Sequence, residues 1–236
     1  MDNKENYKSA STTKSKKKKK WPWIVGAVLL IFIILIFYFY SLVVNNLENL
    51  NAGIDGEGTF TRITTTDDPY LGNPDADIVI VEFSDFQCPY CFQTFPIMHD
   101  VVDKYADEIK YIYRDFPLSD IHPQAQMAAE AGECAQDQGK FWAMHDKMFI
   151  NRDDLSLASL KNYATEIGLN IAEFVVCLEG NKYKEEVEED YFDGLIAGVD
   201  GTPTFYVNDH KFEGVPTYEN FQELIEELIT IYEAEQ

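Results

Sequence analysis

Apolar and polar positions divide the chain into three stretches. Between residues 21 and 44 no charged side chain occurs, and Ile24 to Tyr40 is almost continuously aliphatic or aromatic. Roughly 20 apolar residues in a helix cross a bilayer, so residues 21–44 are predicted to form a single transmembrane helix. Trp21 and Trp23 at one end, with Tyr38 and Tyr40 at the other, suit the two membrane interfaces. A cleaved signal peptide is the competing reading, but its apolar region usually runs about 7 to 15 residues before a small-residue cleavage site. Here the run is longer and ends in Ser41-Leu42-Val43-Val44-Asn45, which favours an uncleaved anchor. Residues 45–68, rich in Asn, Gly, Thr and acidic side chains, read as a linker.

Globular patterning begins near Tyr70. Ile78-Val79-Ile80-Val81-Glu82-Phe83 is a short branched run expected of a strand covered on both faces, with Glu82 as its exception. Beyond Cys88-Pro89-Tyr90-Cys91, apolar residues recur at Phe95, Met98, Val102 and Tyr105, one face of a helix that also carries Cys91. A second strand is predicted at Lys110 to Arg114, so strand, helix and strand form a parallel crossover, right-handed by default. From His122 to about Ala197 the pattern turns helical, most clearly at 125–134, 141–149, 157–167 and 183–196. Thr204 to Val207 and His210 to Glu213 then flank Asn208-Asp209, which suits a tight hairpin turn. A closing helix sets Phe221, Leu224, Leu228 and Tyr232 on one face. The expected class is α/β, with an all-helical insertion in a mixed domain.

Charge sharpens the topology. Residues 1–20 carry eight Lys, five of them at 16–20, against Asp2 and Glu5. A basic run beside an apolar span places that end in the cytoplasm, and the remainder outside the cell membrane. The remainder holds 11 basic and 39 acidic side chains. So acidic a surface disfavours nucleic acid, anionic headgroups and polyanionic substrates. All four cysteines, Cys88, Cys91, Cys134 and Cys177, fall in this exported part, where disulfides persist.

A Cys-x-x-Cys pair at a helix start has a physical reason to be redox-active. The spacing of three brings the sulfurs within bonding reach, and the free N–H groups of the first turn stabilise a thiolate on Cys88. Pro89 suits that turn because its missing N–H has no helical partner to lose. Glu82, on the adjoining strand, is placed to relay the proton that Cys91 must accept; the competing reading is a carboxylate on a solvated edge. Half of a zinc site is the alternative for the CxxC itself. The other Cys and His residues, His99, His122, His145 and His210 among them, are scattered without a second ligand pair, so no metal is expected. Cys134 and Cys177 lie on different parts of the helical insert and are hypothesised to pair, the alternative being two buried thiols. Closing about 44 residues would stabilise by roughly 4 kcal/mol.

Four ordered segments carry a family resemblance: Asp68 to Pro74, Val81 to Cys91, Cys134-Ala135 through Gly139-Lys140-Phe141-Trp142, and Gly198 to Phe205. From about Asp68 to the C-terminus the chain resembles DsbA-like disulfide oxidoreductases of the thioredoxin superfamily. The resemblance implies a thioredoxin core at 69–116 and 199–236, interrupted by a helical domain at 117–198. It makes Thr202-Pro203 a cis-proline element against the active-site cysteines, where the Thr202 backbone can pair with a substrate strand. The first reading of function is disulfide formation in exported cysteine-containing proteins, with no cofactor beyond the Cys88–Cys91 disulfide; the oxidising direction, and recharging by a quinone-linked membrane oxidase that the anchor would keep in reach, are hypotheses. One position departs: strongly oxidising members often carry His where this chain has Tyr90, and tyrosine supplies no cation. A reductase or isomerase, and a non-catalytic binding or metal-delivery module, are the alternatives.

Overall fold

The structure is a computed structural model that describes residues 26, 28–31, 33–38, 40, 41, 62–208 and 210–235. Contacts divide the chain into two units, Met1–Leu50 and Asn51–Gln236. In the first unit, every described residue between 26 and 41 is helical, and its large apolar side chains, Phe37 at 71% among them, are exposed. Among the described residues no helix is long and apolar enough to cross a membrane. The basic tail, part of the predicted span 21–44 and most of the predicted linker lie outside the described residues.

The second unit is built on a five-stranded sheet. Its strands are β1 (Tyr70–Gly72), β2 (Ile78–Ser84), β3 (Ile109–Asp115), β4 (Thr204–Val207) and β5 (His210–Glu213), in the spatial order β1-β3-β2-β4-β5. β2 and β3 run parallel, as the crossover through helix α1 (Pro89–Tyr105) requires, and the other pairs are antiparallel. Helices α2 (Ala125–Gln136), α3 (Phe141–Ile150), α4 (Leu157–Glu166), α5 (Ile171–Glu179) and α6 (Lys184–Ala197) stand between β3 and β4, and α7 (Tyr218–Glu235) closes the fold.

The two-residue period of β2 assigns its faces. Ile78 and Ile80 pack with Met98, Val102, Phe205 and Phe221 beneath α1 and α7. Val81 and Phe83 pack on the opposite side with Ile63, Ile112 and Phe116. Glu82 shares the parity of Ile80, and so lies on the α1 side. A third cluster joins Cys88 and Cys91 to the interior of the helical insertion, through Phe86, Phe141, Met144 and Phe149. Helix α1 is thus wedged between sheet and insertion. On α1, Thr94 and Val101 are buried besides the expected Met98, Val102 and Tyr105, while Phe95 is half-buried against the insertion.

Two features have no counterpart in the hydrophobic pattern. β1 is three residues long and exists by backbone pairing to Lys110–Ile112, so it has no alternation to read. The far end of the predicted linker is docked: Ile63 is fully buried, Arg62 pairs with Asp193, and Asp68 meets Arg114 at 3.4 Å.

Arg114 is the buried cation of an acid-rich patch. Its guanidinium bonds to Asp190 and Asp193, and the second oxygen of Asp190 accepts from the Asp115 backbone N–H at 3.0 Å. Burial, reinforced by Asp190, pushes Asp68 up to about 8 and Glu186 to about 7. Burial and neighbouring carboxylates, Asp115 foremost, hold Glu133 well above the usual range. A carboxyl raised on folding contributes stability that is fully present below its unfolded value and is lost as pH rises through the folded one. The thermal midpoint is therefore expected to fall from about pH 4 to about pH 8. Glu133→Gln should flatten that slope and raise stability at the alkaline end by on the order of 1 kcal/mol. Thermal melts across pH check this; a variant with the wild-type slope would count against the repulsion.

Candidate active site

The site forms where β2 hands over to α1. Past Ser84 the chain turns at Asp85, whose backbone carbonyl accepts from the Cys88 N–H at 3.0 Å and whose carboxylate accepts from the Gln87 N–H at 2.7 Å. The other carboxylate oxygen takes the Leu118 N–H and His122 Nδ1, at 2.8 and 2.7 Å. Asp85 thus clamps the active-site turn to the loop that opens the helical insertion. Cys88 caps α1 in an extended conformation with Pro89 at the first helical position. Tyr90 is exposed, and Cys91 lies one turn in.

The two sulfurs have unequal surroundings. Both cysteines are thiols in this structure, 3% and 0% exposed at Cys88 and Cys91. The Cys88 thiol is held down to about 5, first by the hydrogen bond from Cys91, then by Thr202 and the N–H groups of Cys91 and Tyr90, against the opposing effect of burial. Burial pushes Cys91 the other way, well above the ordinary thiol range, and its bond to Cys88 adds to the rise. The Cys88 sulfur also meets the Thr202 carbonyl oxygen at 3.4 Å, and the Thr202–Pro203 peptide bond is cis.

Beneath Cys91 lies Glu82, 3% exposed, on the central strand between Tyr113 of β3 and Phe205 of β4. Burial pushes its carboxyl up to about 7, opposed by the Tyr111 hydroxyl, which donates to it at 2.6 Å. Its charge in turn helps raise Cys91. A carboxyl of this kind, protonated or not near neutrality, is suited to exchange a proton with a buried thiol.

The fold therefore brings Cys88, Cys91, Pro89, Tyr90, Thr202 and Pro203 into one patch over Glu82. Cys134 and Cys177 sit elsewhere, joined by a disulfide that ties α2 to α5 with their Cα atoms 5.8 Å apart. Asp85 and Tyr111 belong to the site although the pattern did not single them out. An aromatic residue in a strand reads as core, and an acid in a turn reads as solvated. His99, His145 and Asp146 place ligand-type atoms within 4.8 Å of one another. There one oxygen of Asp146 accepts from both rings, at 3.1 and 2.9 Å, which is a hydrogen-bonded arrangement.

The family described as Thioredoxin matches residues 64–227, and the chain belongs to it. A Na(+)/H(+) antiporter NhaA 3 of Salinispora tropica is 38% identical over 147 residues, 62% of this chain and 22% of the relative. An NhaA 1 of a Mycobacterium species is 36% identical over 149 residues, 62% and 24% of the two chains. The match thus spans under a quarter of the length of these antiporters. Among solved structures, a thioredoxin-like oxidoreductase from Silicibacter pomeroyi superposes with a TM-score of 0.65 at 25% identity, covering 73% of this chain and 96% of that one. The thiol-disulfide exchange protein alpha-DsbA2 of Wolbachia pipientis shares the fold, with a TM-score of 0.67 at 21% identity, over 77% and 98% of the two chains.

Proposed function

We propose that the chain is an extracytoplasmic thiol–disulfide oxidoreductase, anchored by residues 21–44, that donates the Cys88–Cys91 disulfide to exported proteins. The observation that carries this is the opposed environment of the two sulfurs, Cys88 held low and Cys91 held high beside Thr202-Pro203. In the oxidised enzyme a substrate thiolate attacks the Cys88 sulfur. The electron pair of the S–S bond leaves on Cys91, which takes a proton from Glu82, and a mixed disulfide forms at Cys88. A second substrate thiolate attacks the substrate sulfur of that mixed disulfide and expels Cys88, a good leaving group because its thiolate is stabilised. The substrate departs oxidised and the enzyme dithiol is left to be recharged. A quinone-linked membrane oxidase suits that step, since the anchor would hold the domain within its reach. No cofactor is invoked beyond the cysteine pair.

Tyr90 favours a second reading, in which the pair reduces or shuffles disulfides. A cation beside Cys88 would stabilise the thiolate further, and tyrosine brings none. The reduction potential separates the two. Equilibration of the full chain with glutathione buffers is expected to yield a value more positive than about -200 mV, toward the roughly -120 mV of strong oxidants. A value near about -270 mV would move the assignment to a reductase.

A further inference from the structure

Cys91 and Glu82, 0% and 3% exposed, must exchange a proton with solvent in every cycle, and neither reaches it directly. A cavity of about 10 Å³ is lined by Glu82, Tyr111, His99 and His145 among others, and Cys91 is not part of its wall. That is the space of a single water, bordered by enough polar groups to hold one. His145 is boxed by aromatic rings, with the centroids of Tyr113, Trp142 and Phe149 at 5.0, 5.0 and 4.9 Å. Its Nδ1 donates to Asp146 at 2.9 Å, which leaves Nε2 as the nitrogen with the lone pair. The side chains grade outward, 5% exposed at His145, 38% at Asp146 and 41% at His99. His99 Nε2 meets the same Asp146 oxygen at 3.1 Å.

Resting on the exchange chemistry above, we propose that His145, aligned by Asp146, carries protons between Glu82 and solvent across this cavity. When a disulfide oxidant recharges the enzyme, the Cys88 thiolate attacks one of its sulfurs, the oxidant's S–S bond breaks with the other sulfur leaving as a thiolate, and a mixed disulfide forms at Cys88. Cys91 then loses its proton to the Glu82 carboxylate and its sulfur displaces the oxidant's second thiolate from Cys88. Glu82 passes the proton through one water to Nε2 of His145, and the Nδ1 proton of the resulting imidazolium leaves by way of Asp146. The ring is left protonated on Nε2. In the substrate half-reaction the flow reverses: Nδ1 takes a proton from the Asp146 side, Nε2 returns one through the water to Glu82, and Glu82 protonates the departing Cys91 thiolate. Two half-cycles restore the starting tautomer. Burial lowers the basicity of His145, with Asp146 opposing and His99 reinforcing that effect, so the imidazolium is a passing species. His145 touches neither sulfur and acts through Glu82, which makes it a positioning residue in the proton path.

His145→Phe keeps an aromatic ring in the box and removes both nitrogens. Stopped-flow reoxidation of the reduced full chain by oxidised glutathione is expected to slow by roughly tenfold, less than the ~100-fold typical of losing a direct general acid or base. The solvent deuterium isotope effect on that step should rise, while formation of the first mixed disulfide keeps its rate. In His145→Ala, added imidazole should restore reoxidation, a readout that packing alone would not move and one that stands if the phenylalanine variant fails to fold. Wild-type rates in both variants would overturn the proposal, as would slowing with an unchanged isotope effect and no response to imidazole. In either case the Cys88 chemistry would stand; exchange surviving Cys88→Ser would instead remove the reading beneath it.

Discussion

Cys88→Ser is expected to reduce thiol–disulfide exchange to the uncatalysed background, whereas Cys91→Ala should complete the first attack and stop there. The asymmetry follows from the two environments. Cys88 sits at the helix start with its thiol held down to about 5, so it is the sulfur that is ionised at neutral pH and the one that leaves readily. Cys91 is fully buried and held above the ordinary range, so it serves to resolve what Cys88 begins. Reduced Cys91→Ala, offered a disulfide, retains a nucleophile and lacks a resolving thiol, so partners should accumulate as mixed disulfides on Cys88. The assay pairs oxidative refolding of a reduced protein substrate with non-reducing gels of cells that express the full chain. Failure to recover any trapped exported protein, or exchange that persists in Cys88→Ser, would return the chain to a binding module on the same fold.

The second large effect concerns stability. Removing the Cys134–Cys177 bridge by a double change to alanine is expected to cost roughly 4 kcal/mol, because the closed segment spans a separation of 43 residues. For a domain of this size that corresponds to a fall in thermal midpoint of about 10 °C. The bridge ties α2 to α5, and α2 packs against α3, whose residues back the active-site cysteines. Exchange should persist below the lowered midpoint, since neither sulfur touches the catalytic pair. Calorimetry of both proteins checks the first claim and exchange rates at low temperature check the second. A variant that melts with the wild type would show that the bridge adds nothing to the packing of the insertion.

Much of the site was legible along the chain because its chemistry is local. Cys88 and Cys91 are one helical turn apart, and Pro89 between them announces the turn that Cys88 caps. Glu82 stood out because a carboxylate interrupts an otherwise apolar strand. Pro203 could be weighed only by resemblance, since its place beside Cys88 depends on β2 pairing with β4 and on a contact between Cys88 and Thr202, 114 residues apart. Asp85, Tyr111 and His145 gave no such signal. Each is an ordinary residue type in an ordinary local pattern, and its significance lies in a partner on another element.

The same contrast holds for the cysteine pair and the whole fold. Order along the chain determined strand, helix and strand, the position of the CxxC at a helix start, the separate charge of the tail and the remainder, and the even count of cysteines, because periodicity, capping and valence act within a few residues. Tertiary structure decided the rest. It paired Cys134 with Cys177, buried Ile63 at the end of an apparently polar linker, gathered Asp68, Asp190 and Asp193 around Arg114, and put Glu82 and His145 on the wall of one water-sized cavity. These depend on burial and on distances between remote elements, which a one-dimensional pattern does not contain.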